Sequence, residues 1–278
     1  MNTNIRILKQ VCQEAGVDYQ ELHGDGNLIS LKTPKGVKLF VNRATPLNSE
    51  SIADICEDKG FCYALLGDSL PMPLTKAYLD PQTDEKYKPY LHHDSIDNIC
   101  DDIERYFKFP LIVKKNRGSF GCHVFRVDNP SRLRDRLMAI FDATSKNYDY
   151  IALAQAHVDI SSEYRAVFFR GKLIFAYLKD TSQAQFNGNL SPFYWTGAKA
   201  ILVEDSELLG RLEQTIAPAL LRHGILYAGV DVVEDTQGQL WVLELNSSPG
   251  FDSFVRDCGD DAVSTLFRVI LDRLMADD

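Results

Sequence analysis

The chain has 278 residues, of which 45% are hydrophobic and 25% charged, and this ordinary composition excludes a disordered, collagen-like or coiled-coil protein. Its formal net charge is −9 and it has no long basic run, which argues against a nucleic-acid partner. A small anionic ligand is not excluded, because it needs only a local positive site.

Residues 1–48 predict a short N-terminal α/β piece. The segment IRILKQVCQEAG indicates a helix. Two apolar runs, NLISL and VKLFV, indicate strands on either side of the turn TPKG. This piece is only about half the size of a usual small domain.

A second helix is predicted to begin near Asn48–Ser51, with Ser51 and Asp54 as a capping box, and to end at GDSLPMP. Residues 75–95 are polar and indicate no defined element. Beyond them helices and strands alternate, with hairpins typical of antiparallel sheets, so the fold class is α/β of the α+β kind. The remaining predicted helices are SIDNICDDIERYF, SRLRDRLMAIF, SELLGRLEQTIAPALLRHG and DDAVSTLFRVILDRLM. The remaining predicted strands are PLIVKK, CHVFRV, YIALAQAHV, the hairpin EYRAVFFRGKLIFAYLK and the hairpin ILYAGVDVVEDTQGQLWVLELN.

The cysteines and the apolar runs indicate a cytoplasmic protein. No CxxC pair is present, and several cysteines fall on apolar positions of predicted helices, so we expect free buried thiols in a reducing compartment. The cysteines are Cys12, Cys56, Cys62, Cys100, Cys122 and Cys258. No run has the length of a signal-peptide core or a membrane span, so no membrane partner is expected.

The last hairpin places three oxygen-bearing side chains on one face. If residues 236–239 make the turn of a symmetric hairpin, Asp231 stands directly opposite Glu244, and Asn246 shares their face. Opposed carboxylates are destabilising unless positive charge lies between them, and this oxygen set suits Mg²⁺. The alternative is an acidic pair on the solvated face of the sheet, and the hairpin alone does not decide between the two.

Two further patterns are weaker when taken singly. Lys114 ends a strand and precedes the loop NRGSFG, whose glycines would let backbone N–H groups approach a phosphate; the alternative is an ordinary hairpin turn, since the loop is not a Walker A sequence. Glu163 and Arg165 share a face of the next hairpin, as a solvated ion pair would. Whether Lys179 joins that face depends on the turn length and on a bulge, which the sequence leaves open.

In this order the patterns resemble the ATP-grasp superfamily, and within it the carboxylate–amine ligases of the ribosomal-protein glutamate ligase, glutathione synthetase and cyanophycin synthetase groups. The resemblance covers roughly residues 49–258. It rests on the segments SIADICEDKGFCYALLGDSLPMPLT, PLIVKKNRGSFG, EYRAVFFRGKLIFAYLK and AGVDVVEDTQGQLWVLELNSSPGF. It implies a fold of two α+β subdomains that grip ATP between antiparallel sheets: a linker helix and lid over residues 49–153, and a catalytic subdomain over residues 154–278.

The resemblance also implies where ATP binds. Lys59 and Lys114 would hold its phosphates, and Gly118, Ser119 and Gly121 would form a mobile loop over them.

The base and sugar of ATP would bind further along the cleft. Gln155 and the backbone near Val158 would meet the adenine, and Glu163 would meet the ribose. Arg165 and Lys179 would face the transferred phosphoryl group or the carboxylate substrate; many members have arginine where this chain has Lys179, and a lysine lacks the bidentate fork.

By the same likeness Asp231, Glu244 and Asn246 would coordinate Mg²⁺, with Mn²⁺ as an alternative. The implied reaction joins a small-molecule or peptide carboxylate to an amine through an acyl phosphate, with release of ADP and phosphate. Residues 180–198 are a long polar loop, which would line an acceptor site or pack upon itself. The short N-terminal piece leaves room for a partner subunit, so a homo-oligomer is an open expectation. A kinase acting on a hydroxyl and a nucleotide-binding regulatory protein remain alternatives.

Overall fold

The computed structural model describes residues 1–119 and 121–276. Its helices are α1 (Thr3–Ala15), α2 (Glu50–Glu57), α3 (Lys59–Leu66), α4 (Ile96–Tyr106), α5 (Pro130–Ile140), α6 (Ser206–Arg222), α7 (Asp252–Cys258) and α8 (Asp261–Met275), with short 3₁₀ helices at Glu85–Tyr90 and Pro192–Tyr194. Its strands are β1 (Tyr19–Glu21), β2 (Leu28–Thr33), β3 (Gly36–Val41), β4 (Thr75–Leu79), β5 (Leu111–Lys115), β6 (Val124–Val127), β7 (Ile151–Ala156), β8 (Ile160–Phe169), β9 (Lys172–Asp180), β10 (Lys199–Leu202), β11 (Tyr227–Asp235) and β12 (Leu240–Asn246).

The strands form three antiparallel sheets, which confirms the predicted α+β class. The first contains β1-β2-β3, the second β4-β7-β5-β6, and the third β10-β9-β8-β11-β12. Helices α4 and α5 pack on the four-stranded sheet, and α6 packs with α2 and α3 on one face of the five-stranded sheet. The division predicted at residues 153 and 154 falls inside β7, which pairs along its length with β4 and β5. The division into domains stays a prediction.

The predicted second helix is in fact two helices with a different cap. Ser49 rather than Ser51 caps α2, because the Ser49 side chain accepts a hydrogen bond from the Ile52 N–H. The helical stripe then breaks at Asp58, whose backbone is extended and whose carboxylate caps α3 by accepting from the Phe61 N–H at 2.9 Å. This second cap places Lys59 in the first turn of α3.

The sequence analysis did not predict the short elements β1, β4, β10 and α7 or the two 3₁₀ helices. The longer predicted elements are confirmed, and all six cysteines are free. None of the helices within the described ranges is both long and apolar enough to cross a membrane.

The N-terminal piece shares a hydrophobic core with the C-terminal part of the chain. Ile7 and Leu8 of α1 are fully buried in the same cluster as Phe254 of α7 and Phe267 of α8. This cluster covers the face of the five-stranded sheet opposite to α6. The piece is therefore packed against the five-stranded sheet rather than standing apart from it.

Candidate active site

A cleft of about 1210 Å³ is lined by both the four-stranded and the five-stranded sheet. Every residue that the sequence predicted for nucleotide, metal or catalysis lies along this one cleft. These residues are Lys59, Lys114, Gly118, Ser119, Gly121, Gln155, Val158, Glu163, Arg165, Lys179, Asp231, Glu244 and Asn246. The structure brings them together, and the role of each stays a prediction.

Two lysines line the cleft from different elements, Lys59 from α3 and Lys114 from β5. Lys59 Nζ donates to the Gly118 carbonyl at 2.7 Å and lies 3.6 Å from Glu244 Oε2. Lys114, on β5, is only 6% exposed. Burial lowers the pKa of Lys114 to about 8, with Glu244 acting against this shift and Lys59 adding to it. Burial disfavours the charged form of Lys114, and an anionic ligand nearby would stabilise that form.

Gln155 contacts Lys114 directly. Its side-chain carbonyl accepts from Lys114 Nζ at 2.9 Å, and its amide NH₂ donates to Thr75 Oγ1 at 2.8 Å. The Thr75 hydroxyl in turn donates to the Pro73 carbonyl at 2.8 Å. This chain of hydrogen bonds fixes the direction in which the Gln155 amide points, so it orients Lys114. Thr75 ends the segment SIADICEDKGFCYALLGDSLPMPLT on which the resemblance rests, but the sequence analysis did not predict its contact with Gln155, which lies 80 residues away.

A buried ion network occupies the centre of the cleft. Arg165 donates from Nε and Nη2 to the two carboxylate oxygens of Asp231, at 2.8 and 2.6 Å. Lys179 Nζ lies 2.9 Å from Asp231 Oδ1 and 2.5 Å from Glu163 Oε1. Burial works to raise the pKa of Asp231, but Arg165 and Lys179 hold it well below its ordinary value. Burial works to lower the pKa of Lys179, yet Asp231 and Glu163 raise it.

The register of β8 and β9 explains why Lys179 joins this network. The turn is a two-residue one at Arg170 and Gly171, both with positive φ, which by itself would turn Lys179 to the other face. A bulge follows, because Phe168 pairs with Leu173 whereas Val167 pairs with Phe175. The extra residue of the bulge turns Lys179 back to the face that carries Glu163 and Arg165. The hairpin thus combines a two-residue turn with a bulge.

The predicted metal ligands share one face. Asp231 pairs directly with Glu244 in the β11–β12 register, and Asn246 lies two residues further along β12. The Asn246 Nδ2 atom is buried without a hydrogen-bond partner among the described residues, so no contact through that atom prevents the amide from turning its oxygen into the cleft. Two carboxylates and an amide are hard oxygen ligands and fit Mg²⁺.

The protein supplies only part of a metal's coordination shell here. Within residues 1–119 and 121–276, no group of three or more His, Cys, Asp or Glu side chains could hold a metal ion. Mg²⁺ commonly takes one or two carboxylates and completes its shell with phosphate oxygens and water. The assignment of this set to a metal stays a prediction, and the metal would be one that arrives with a nucleotide rather than one held in a closed protein cage; both Asp231 oxygens here accept hydrogen bonds from Arg165.

The base of the loop after β5 is fastened to α3 and to the segment before β7 by contacts that the sequence analysis did not predict. Asn116, only 1% exposed, accepts from the Gly60 N–H at 2.8 Å and donates to Asp58 at 2.7 Å. The Arg117 N–H donates to Asp149 at 2.7 Å. These contacts hold the loop against Lys59, and their partners are too far apart in sequence to form a motif.

The two loops that flank the cleft touch each other. Gly121 has φ 66°, and a Cβ atom at this position would lie 2.0 Å from Asn189 Oδ1 and 3.0 Å from Ser191 Cβ. The indole N–H of Trp195 donates to the Asn189 carbonyl at 2.5 Å, which ties together the far loop. Phe120 of the predicted phosphate loop lies outside the described residues.

Two antiparallel sheets that line one cationic cleft define the class of this protein, which has the ATP-grasp fold. The structure superposes on the ATP-grasp ligase PsnB complexed with a minimal precursor, with a TM-score of 0.57 and 19% identity over 82% of this chain and 64% of PsnB. A structure of PsnB with minimal precursor, Mg and ADP gives a TM-score of 0.55 and 17% identity over 83% of this chain and 62% of PsnB.

The chain belongs to the RimK-like ATP-grasp family, because the family model of the RimK-like ATP-grasp domain matches residues 84–270. It is 26% identical to an uncharacterized protein of Mycoplasma genitalium, over 72% of this chain and 64% of that protein. It is 26% identical to a probable alpha-L-glutamate ligase of Xanthomonas oryzae pv. oryzae, over 62% of this chain and 55% of that protein. The chain thus spans less than two thirds of the length of these relatives.

Proposed function

We propose that the protein is an ATP-dependent ligase that joins a carboxylate to an amine. The observation that supports this most directly is the convergence of four cations, Lys59, Lys114, Arg165 and Lys179, on one cleft beside the facing carboxylates of β11 and β12. Phosphoryl transfer depends mainly on such positioning and on charge stabilisation. The name of the Xanthomonas relative is also that of a ligase.

In the first half-reaction, an oxygen of the substrate carboxylate attacks the γ-phosphorus of ATP, and ADP leaves. Lys59 and Lys114 hold the phosphates. Arg165 and Lys179 already neutralise the buried Asp231, so their charges are fixed in the cleft before the phosphoryl group arrives. Preorganised charge of this kind lowers the barrier without reorganisation during the reaction.

Asp231, Glu244 and Asn246 are the residues that would hold Mg²⁺. When bound, this ion supplies a positive charge that polarises the phosphate oxygens. Glu163 then has a second task besides any contact with ribose: it holds Lys179 at 2.5 Å and shares that cation with Asp231.

In the second half-reaction, the amine attacks the carbonyl carbon of the acyl phosphate, phosphate leaves, and the amine loses a proton. Water competes with the amine for this intermediate and must be excluded. The contact of Gly121 with Asn189 supports a role for the two loops as the cover that excludes it. The substrates are amino acids or peptides in this proposal; PsnB is likewise complexed with a precursor peptide.

The test is incubation of the purified protein with ATP, Mg²⁺ and pools of amino acids and short peptides. ADP and free phosphate that depend on both a carboxylate and an amine, together with an amide product, are the expected result. A stable phosphorylated alcohol would point to a kinase instead. Nucleotide binding with no turnover on any pool would point to a regulatory protein.

Asp231→Asn is the sharpest variant for this proposal. It removes the charge that faces Glu244 and that Arg165 and Lys179 neutralise, so we expect turnover to fall by about 10²-fold or more, the scale for loss of a preorganised electrostatic group. Circular dichroism should show a folded protein, since Asn retains the shape of Asp. Unchanged turnover would remove Asp231 from the metal site.

A further inference from the structure

Arg43 is a cation of the cleft that the phosphate chemistry does not use. It follows β3 in the N-terminal piece and lines the cleft together with Asp252 and Ser253. Its side chain is 40% exposed, so the guanidinium remains open to a ligand. No sequence motif indicated this residue, because it lies before the segment that resembles ATP-grasp proteins.

Gly250 makes the space that Arg43 occupies. A Cβ atom at Gly250 would lie 2.5 Å from both Cζ and Nε of Arg43, closer than any real contact. The backbone of Gly250 is not in the left-handed region, so a side chain there would meet no backbone strain but would force the guanidinium of Arg43 to shift. The neighbouring Pro249 touches the position of Gly229, which also borders Arg165. One turn after β12 thus adjoins both arginines.

Arg43 already binds a carboxylate through part of its guanidinium. Its Nη2 atom donates to Asp252 Oδ2 at 2.8 Å, while the Thr3 hydroxyl donates to Asp252 Oδ1 at 2.5 Å. Within the described ranges, Arg43 makes no other hydrogen bond, and Asp252 occupies Nη2, the nitrogen that both bidentate edges of the guanidinium share, so a second carboxylate gains the full fork by displacing Asp252. An ion pair with both partners this exposed is weak and exchanges readily for another carboxylate.

We propose that Arg43 is the specificity-determining residue that binds a carboxylate of the substrate other than the one that reacts. The inference rests on the proposed ligase function. An arginine fork matches the planar carboxylate, and Asp252 shows that a carboxylate fits at this position. The second carboxylate belongs either to the amine substrate, as in an amino acid, or to a dicarboxylic acid substrate, and the two sources give different results in the test.

The experiment measures ADP release by the full-length protein with each of the twenty L-amino acids and with dicarboxylic acids, supplied in carboxylate and amine pairs. For each accepted substrate, the non-reacting carboxylate is then replaced by a carboxamide. Arg43→Gln should raise KM for the acid by about 10- to 100-fold, the range for a lost hydrogen bond to a charged group, with kcat little changed. KM for the carboxamide should not change. The substrate whose KM responds identifies the source of the carboxylate.

Two further variants separate recognition from folding. Asp252→Asn removes the competing internal carboxylate, so it should lower KM for the acid. Arg6→Gln is the matched control, because Arg6 forms an ion pair with Asp260 at 2.7 Å and a similar exposure, but outside the cleft. It should leave KM unchanged.

Failure of the role proposed for Arg43 gives a different result from failure of the ligase function. If Arg43→Gln raises KM equally for the acid and the carboxamide, or changes neither, the role of Arg43 is overturned while the ligase function stands. If the unmodified protein binds ATP but releases no ADP with any pair, the ligase function itself fails, and the role of Arg43 fails with it.

Discussion

The protonation of Lys114 should control nucleotide affinity near pH 8. Burial lowers the pKa of this lysine to about 8, so it is charged below that pH and neutral above it. Phosphates favour the charged form. We therefore expect the Kd of a non-hydrolysable ATP analogue with Mg²⁺ to rise with pH above 8, approaching tenfold per unit, as titration calorimetry between pH 7 and 9.5 would measure.

Lys114→Met provides the comparison. It should bind the analogue about 10- to 100-fold more weakly at pH 7, because a charge-assisted contact is lost, and its Kd should change little with pH. An equal pH dependence in Lys114→Met would assign the titration to another group.

At the scale of single residues, the sequence located side chains better than it described their contacts. Lys114, Asp231 and Glu244 were predictable because each ends or occupies a strand. A charge buried there is costly unless it has a partner, so it indicates a functional site. The contacts of Gln155 with Lys114 and Thr75 were not predictable, since these two residues lie 41 and 80 positions from Gln155 in the sequence. Such contacts depend on how strands of different segments are ordered, which periodicity does not reveal.

At the scale of elements, bulges decide which side chains face the cleft. The symmetric hairpin predicted the pairing of Asp231 with Glu244 correctly, although the register near the turn differs by one residue, with Glu234 opposite Leu240. A bulge after Asp231 compensates for that offset. The sequence could not reveal it, because a bulge follows from sheet twist and packing rather than from alternation.

Gly121 lets the two loops that flank the cleft meet, because it has no side chain at the point where it adjoins Asn189. Gly121→Ala would place a Cβ atom 2.0 Å from Asn189 Oδ1 and would strain a backbone with φ 66°. We expect the loops to separate, so that water reaches the acyl phosphate and less amide forms for each ADP released. The measurement is the ratio of amide product to free phosphate in the ligation assay.

Gly36→Ala is the control for backbone strain alone. Gly36 has φ 99°, but a Cβ atom there would meet nothing within 4 Å, and the residue lies outside the cleft. It should leave the ratio unchanged. A normal ratio in Gly121→Ala would show that the loops do not exclude water by this contact.

At the scale of the whole molecule, the N-terminal piece is bound to the catalytic part by contacts of several kinds. Besides the shared core, Asn4 Nδ2 donates to the Pro249 carbonyl at 2.9 Å, and Arg6 pairs with Asp260. The sequence predicted the helix and strands of this piece but treated it as a separate unit. Its amphipathic face shows only that α1 must pack against something, and not which segment provides the partner.

A shared core makes the stability of the two parts inseparable. Leu8 of α1 is fully buried beside α7 and α8, and Leu8→Ala should lower the free energy of unfolding by about 2–5 kcal/mol. In a Trp195→Phe background, Trp241 on β12 is the remaining tryptophan and reports on the five-stranded sheet. Urea unfolding followed by Trp241 fluorescence and by far-ultraviolet circular dichroism should then give the same lowered midpoint.

Leu22→Ala is the matched control, because Leu22 lies in the same piece with 45% exposure, and its loss should change the free energy of unfolding by less than about 0.5 kcal/mol. If Leu8→Ala shifted the circular dichroism transition while Trp241 fluorescence kept its original midpoint, the N-terminal piece would unfold independently. The placement of Arg43 in the cleft would then depend on a loosely held part of the chain. Coincident transitions instead mean that the core which stabilises the five-stranded sheet also fixes Arg43 beside Gly250.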